Sequence, residues 1–266
     1  MGNTIKLNNG VEMPRIGYGV YQIPPRDTER CVAEAIEVGY RHIDTAQCYY
    51  NEGEVGNAVR KSGIAREQFF ITTKLWGCNG HADTVKSIEE SLQRLNLKYI
   101  DLLLIHEPSG NYKEIWRAME DAVASGTVKS IGVANFLGKT LVDLVEHCRI
   151  IPAVDQIETH PFRQQIEMQK MCERYGIVLE AWSPLACGKN NIFGNTILAS
   201  IADKYNKTIA QVVLRWLYQR GIVIIPKSTH KERMIENLDI LDFSLTEADM
   251  IEISKLEIGK SLFNWW

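Results

Sequence analysis

The sequence lacks the features that would place it in a membrane, in an oxidising compartment or on a nucleic acid. No apolar run approaches the ~20 residues that a transmembrane helix needs. The N-terminus, MGNTIKLNNG, has neither the basic stretch nor the apolar core of a signal peptide, and Lys6 stands where a myristoylation pattern carries Ser or Thr. The six cysteines (Cys31, Cys48, Cys78, Cys148, Cys172, Cys187) form no CxxC pair, so neither zinc-ribbon spacing nor a disulfide scaffold is present. Reduced thiols in a cytoplasmic protein are expected. With 30 basic against 33 acidic side chains, no strong field steers the chain to nucleic acid or an anionic membrane. No GxGxxG follows a strand-like run, so the usual dinucleotide fingerprint is missing.

What is present is a rhythm. After a hairpin signal at Asn9-Gly10 in IKLNNGVEM, eight short apolar runs follow: RIGYGV, RHID, FFITTK, IDLLLIH, VKSIGVAN, AVDQIE, IVLEAW and IVIIPK. Between them lie stretches with helical spacing, such as Val85, Ile88, Leu92 and Leu95, or Ile209, Val212, Val213 and Trp216. Asp27, Thr208 and Thr246 read as helix caps. Nearly continuous apolar strands alternating with amphipathic helices imply a parallel sheet covered on one face. Eight such units predict an α/β fold of the (β/α)8 TIM-barrel type, with the hairpin in front and extra helices over 195–205 and 246–257. No linker divides the chain, which predicts a single domain over 1–266.

In such barrels chemistry sits where the strands end. The second run ends at Asp44, with Tyr49 five residues on, and the third at Lys74. The fourth ends at His106, the fifth at Asn135 and the sixth near Gln156. The last two end at Trp182-Ser183 and Lys227-Ser228. Taken alone, Asp44 is equally well a turn cap and His106 a satisfied core histidine. Lys74 differs, because a lysine after FFITT cannot easily reach water and is rarely buried without a partner or a use. Several polar ends converging on one mouth point to a site.

Three chemistries fit these residues. Schiff-base catalysis needs a neutral lysine; Asp44 beside Lys74 argues against it, while Lys227 keeps it open. Metal-assisted hydrolysis could draw on His42, Asp44, His106, Glu107 and His160, but no HxH or HExxH spacing supports it. The third is proton donation from a tyrosine, coupled to hydride transfer. A phenol stays protonated at neutral pH, and a lysine ammonium ~4 Å away, at an effective dielectric of ~20, favours the phenolate by about 4 kcal/mol. Asp44 keeps Lys74 charged, and His106 orients a carbonyl. This third chemistry uses all four residues. The hydride donor then needs a phosphate site, which barrels place after the last two strands and at a helix N-terminus. IPKSTHKERMIEN supplies Lys227, Ser228, Thr229 and Arg233, and two cations favour the 2′-phosphate of NADPH.

The chain resembles the aldo-keto reductase family over essentially its whole length. GYRHIDTAQCYYNEGEVG, ITTKLW, IDLLLIHEP, GVANF, VDQIETHP, AWSPL and IPKSTHKERMIEN follow that family's signatures in order. The resemblance implies reduction of small aldehydes or ketones, with Tyr49 as general acid and Asp44, Lys74 and His106 completing a tetrad; Tyr50 is not the acid. It implies that Asn135 and Gln156 hold the nicotinamide carboxamide and that Trp182 stacks on its ring. Ser183 and Leu185 would flank the pyrophosphate. Lys227, Ser228 and Arg233 would take the 2′-phosphate, with Glu236 and Asn237 near adenine. Val20, Tyr21, His106 and Glu107 would line the substrate pocket. No metal site is implied, and the expected state is a monomer or weak homo-oligomer. A non-enzymatic nicotinamide-binding subunit on the same fold is the second reading.

Some positions depart from the family pattern. Ala134 replaces a serine, Asp155 an asparagine and Trp182 the commoner tyrosine. Glu107 stands where many members carry tryptophan, which predicts poorer tolerance of anionic substrates. The chain stops at GKSLFNWW, short of a specificity loop, which predicts an open pocket. Trp265 and Trp266 are expected to pack on the barrel or on a partner.

Overall fold

A hairpin stoppers one end of the barrel in the computed structural model, which describes residues 3–263. Strands β1 (Thr4–Lys6) and β2 (Glu12–Pro14) pair antiparallel around a turn in which Gly10 takes φ 88°. Leu7 and Met13 push into the barrel interior against Phe70, Leu102, Leu104 and Val154. The Asn8 side-chain amide donates to the Pro152 carbonyl at 2.9 Å, and that of Asn9 to Ser130 Oγ at 3.0 Å. Trp265 and Trp266 lie outside the described residues.

The eight expected runs become eight parallel strands: β3 (Gly17–Gly19), β4 (His42–Asp44), β5 (Phe70–Leu75), β6 (Ile100–Ile105), β7 (Val128–Ala134), β8 (Val154–Glu158), β9 (Val178–Trp182) and β10 (Val223–Ile224). Each hydrogen-bonds its sequence neighbour, and an Ile16–Ile224 bridge closes the ring. The last strand is shorter than its apolar run because Pro226 has no N–H to offer a ladder. The close fit inside needs Gly17, where a Cβ would come 2.6 Å from the His42 ring.

Helices α1 (Pro25–Val38), α2 (Glu52–Lys61), α3 (His81–Leu95), α4 (Tyr112–Ala124), α5 (Lys139–Val145) and α6 (Ile166–Tyr175) follow the strands in turn. After β9 come α7 (Thr196–Tyr205) and α8 (Ile209–Gln219), and after β10 come α9 (Lys231–Leu238) and α10 (Glu247–Ser254). The two expected extra helices are α7 and α10. Thr208 and Thr246 form full capping boxes with Gln211 and Asp249. Asp27 is not a cap: α1 starts two residues earlier, because Pro25 presets the helical φ, and Asp27 lies in its first turn, where a negative charge suits the helix dipole. Val85 is likewise off the buried stripe of α3, which runs through Thr84, Ile88, Ser91 and Leu95.

Candidate active site

Strand alternation decides what reaches the barrel interior. On β5, Phe70, Thr72 and Lys74 point inward, while Thr73 points out to Glu52 at 2.6 Å. Lys74 is fully buried, and its Nζ donates to Asp44 Oδ1 at 2.6 Å and to the Thr45 carbonyl at 3.0 Å. The other Asp44 oxygen accepts from Gln156 Nε2 at 2.9 Å, and the same nitrogen reaches Glu180 Oε2 at 2.9 Å. Burial, and then the Asp44 charge, push the Glu180 carboxyl up to about 8. Two carboxyl groups and one lysine therefore make the floor of the mouth.

Tyr49 sits on a single 3₁₀ turn, Gln47–Tyr49, that is pinned from several sides. Gln47 Nε2 donates to the hydroxyls of Ser87 and Ser91, both at 2.8 Å, and Gln47 Oε1 accepts from the Trp76 amide at 2.8 Å. Asn51 bonds Thr45 on one side and the Val20 and Ile23 carbonyls on the other. The Tyr49 ring centroid lies 5.2 Å from Lys74 Nζ, 4.9 Å from the Tyr21 ring and 5.7 Å from the His106 ring. Tyr50, by contrast, is 82% exposed and points away from this cavity.

Burial, and then the Asp44 carboxylate, hold the Tyr49 phenol well above its usual range. The expected lowering by Lys74 is not what the geometry gives. The ammonium is spent on Asp44, and desolvation dominates. Burial and the repulsion of Lys74 pull His106 down to about 3, so its imidazole is neutral around pH 7. Asn135 takes a left-handed φ of 64°, donates to the His106 carbonyl at 3.1 Å and accepts from Trp182 Nε1 at 2.9 Å. That leaves Asn135 one N–H and one lone pair, and leaves the Gln156 carbonyl oxygen open to a ligand.

A cavity of about 1020 Å³ opens above this floor. Asp44, Tyr49, His106, Tyr21, Glu107, Asn135, Gln156, Trp182, Ser183 and Leu185 line it, and Lys227, Ser228, Arg233, Glu236 and Asn237 line its far arm. Val20 is a correction: it is fully buried in the helix-facing core, and only its backbone touches the site, donating to the Asp44 carbonyl at 3.0 Å. The strand ends at Gly19, and Val20 stays on the outward face of Tyr18 while the chain turns at Tyr21. His42 lies beneath the floor, 3.1 Å from Thr72 Oγ1, and His160 is tied to Glu158 at 2.9 Å, so neither joins the cavity. Sequence reasoning passed over Trp76, Cys48 and Gln22 on the wall, and Glu180 below it. Trp76 was legible, being two residues past Lys74 on the same face.

The far arm suits an anionic dinucleotide. Lys227 and Arg233 are exposed cations there, and Ser228, Thr229 and the first turn of α9 add hydroxyls and amides. With carboxamides at the floor and a phosphate-type donor set at the far arm, the residues fit a nicotinamide dinucleotide.

The sequence pattern of the aldo/keto reductase family matches residues 9–258. The chain belongs to that family. It is 46% identical over 257 residues to a glyoxal reductase of Bacillus subtilis, covering 96% of this chain and 92% of the relative. It is 42% identical over 261 residues to a methylglyoxal reductase of Yersinia pestis, with 97% and 94% covered. An aldo/keto reductase structure from Brucella melitensis superposes with a TM-score of 0.92 at 44% identity, over 95% of this chain and 98% of that one. A Bombyx mori aldo-keto reductase in complex with NADP gives 0.92 at 34% identity, over 98% and 95%.

In this aldo/keto reductase the departing positions are well placed to matter. Ala134 is buried at the end of β7, and Glu107 faces the cavity. Asp155 is fully buried and points away from the cavity; burial holds its carboxyl well above the usual range, and the Phe136 amide offsets this in part. The C-terminal stretch folds back over β9. Leu262 N donates to Glu158 at 3.0 Å, and the Phe263 ring meets Trp182 edge-on at 5.1 Å.

Proposed function

We propose that the chain reduces small aldehydes or ketones with NADPH, and that Tyr49 is the general acid. The observation that carries this reading is the buried Lys74–Asp44 pair, with its lysine 5.2 Å from the ring of a cavity-facing tyrosine and a neutral histidine alongside. The glyoxal and methylglyoxal reductases among its relatives support small dicarbonyls as substrates.

NADPH, when bound, supplies the hydride that a carbonyl carbon accepts. Asn135 and Gln156 would hold its carboxamide, Trp182 its ring, and Ser183 and Leu185 the pyrophosphate. Lys227, Ser228 and Arg233 would take the 2′-phosphate, with Glu236 and Asn237 beside adenine. His106 donates a hydrogen bond to the substrate oxygen and fixes its direction. Tyr49 then gives that oxygen its phenolic proton. An elevated phenol suits the task, since it stays protonated through neutral pH. The alkoxide left when the carbonyl carbon accepts the hydride takes that proton. Lys74, anchored by Asp44, stands 5.2 Å from the ring on which the phenolate is left, so the ion pair and not a lone ammonium faces it.

Loss of nicotinamide absorbance with NADPH and methylglyoxal is the direct trial. Tyr49→Phe is expected to cut turnover by roughly 10²–10⁴-fold while NADPH still binds. Unchanged turnover would remove Tyr49 from its role. Cofactor binding without turnover across a broad aldehyde panel would favour the non-enzymatic reading.

A further inference from the structure

Among the described residues, the substrate end of the cavity carries one charge without a partner. Glu107 follows His106 at the end of β6 and lines the cavity, and among the described residues no hydrogen bond or ion pair reaches its carboxylate. The other charged groups on the wall are accounted for. Asp44 is tied to Lys74 at 2.6 Å, while Lys227, Arg233 and Glu236 belong to the arm beyond β10, where the cations would meet the phosphates of a dinucleotide. Around His106, the residue before Glu107, the wall is aromatic and neutral. Trp76, at the end of β5, keeps 47% of its surface open and meets the His106 ring at 5.2 Å, and Tyr49 stands on the other side of that histidine at 5.7 Å. Burial pushes the Glu107 carboxyl up from its ordinary range, so its charge is not fully relieved by water.

A carboxylate with no partner among the described residues, on the same cavity wall as a half-exposed indole, is a recognition surface for an organic cation. The carboxylate supplies the charge, and the ring quadrupole accepts the flank of an alkylammonium. A carboxylate-bearing substrate would meet like charge at the same place. We propose that Glu107 and Trp76 make this site select carbonyl compounds that carry an ammonium group a few bonds from the carbonyl. The proposal rests on the reductase reading above and adds its substrate class. The ammonium takes no part in the chemistry: hydride still goes to the carbonyl carbon and the Tyr49 proton to its oxygen.

Trimethylammonioacetaldehyde and tert-butylacetaldehyde have the same shape and differ by one charge, so they isolate the effect. Their hydration and intrinsic reactivity differ, and the readout is therefore their kcat/KM ratio in the parent divided by the same ratio in Glu107→Gln. We expect that quotient to be on the order of tenfold in favour of the cation, as for one partly desolvated charge contact. A general disturbance of the fold would lower both substrates alike and leave the quotient at one. Trp76→Leu should lower the cation's ratio by a smaller factor. The product alcohols, choline and neopentylcarbinol, read the same surface without turnover. By calorimetry the NADP-loaded parent should bind choline more tightly, and Glu107→Gln should erase the difference. A quotient of one, with equal binding of the two alcohols, would overturn the proposal. If neither aldehyde is reduced, the reductase reading falls, and the alcohol pair still decides whether the surface selects cations.

Discussion

The Cys48 sulfur lies 3.5 Å from Nδ1 of His106. Burial pushes this thiol up to about 11, so it keeps its proton at neutral pH beside an imidazole that is also neutral. An S–H that donates to Nδ1 leaves the ring proton on Nε2, where it can serve a carbonyl oxygen. In that arrangement Cys48 would position the histidine. Cys48→Val, which keeps the bulk and removes the donor, should lower kcat by roughly two- to tenfold, the worth of one neutral hydrogen bond. Cys48→Ser should retain most of the rate. Nitrogen NMR should show the single His106 tautomer of the parent become a mixture in the valine variant; one unchanged tautomer would refute the assignment.

Lys74 and Asp44 hold each other in place without contact with bulk water. Removing one partner leaves a buried charge alone, which costs about 3–5 kcal/mol. Lys74→Met should therefore drop the denaturation midpoint sharply. Adding Asp44→Asn should recover most of the stability and none of the turnover. Equal stability of the single and double variants would mean that the pair is not coupled.

Glu180 imposes a pH dependence on the fold. Its carboxyl titrates at about 8 in the folded chain, against about 4.3 when unfolded. The folded state therefore holds a proton that the unfolded state releases, and stability falls as pH rises through that window. Below the lower value the penalty is absent. Glu180→Gln should be more stable than the parent by a margin that grows from pH 4 to pH 8 and then levels off, read from urea midpoints. A margin independent of pH would show that the carboxyl is not the source.

How much of this was legible in the sequence follows from what alternation encodes. The runs ending at Asp44, Lys74 and His106 announced both the strands and the polar mouth, because a charged group closing an apolar run is costly without a use. Alternation gives a face but not a neighbour across the barrel. Gln156 meets Asp44 over a sequence separation of 112, and Glu180 joins them from a third strand. No local pattern carries that triangle. Val20 was misplaced for the opposite reason: its neighbour Tyr21 does face the mouth, while Val20 stays on the outward face of Tyr18, toward the helices. The charge balance at Tyr49 was misjudged because the Coulomb attraction of Lys74 was counted and the desolvation of the phenol was not.

Among the described residues, the hairpin closes the barrel end opposite the cavity, so the floor is reached through the mouth. Whatever settles on the floor beside Asp44 has to arrive before anything seated above it, and has to wait for that occupant to go before it can leave. Traffic through this molecule is a queue in which the deepest guest is first in and last out.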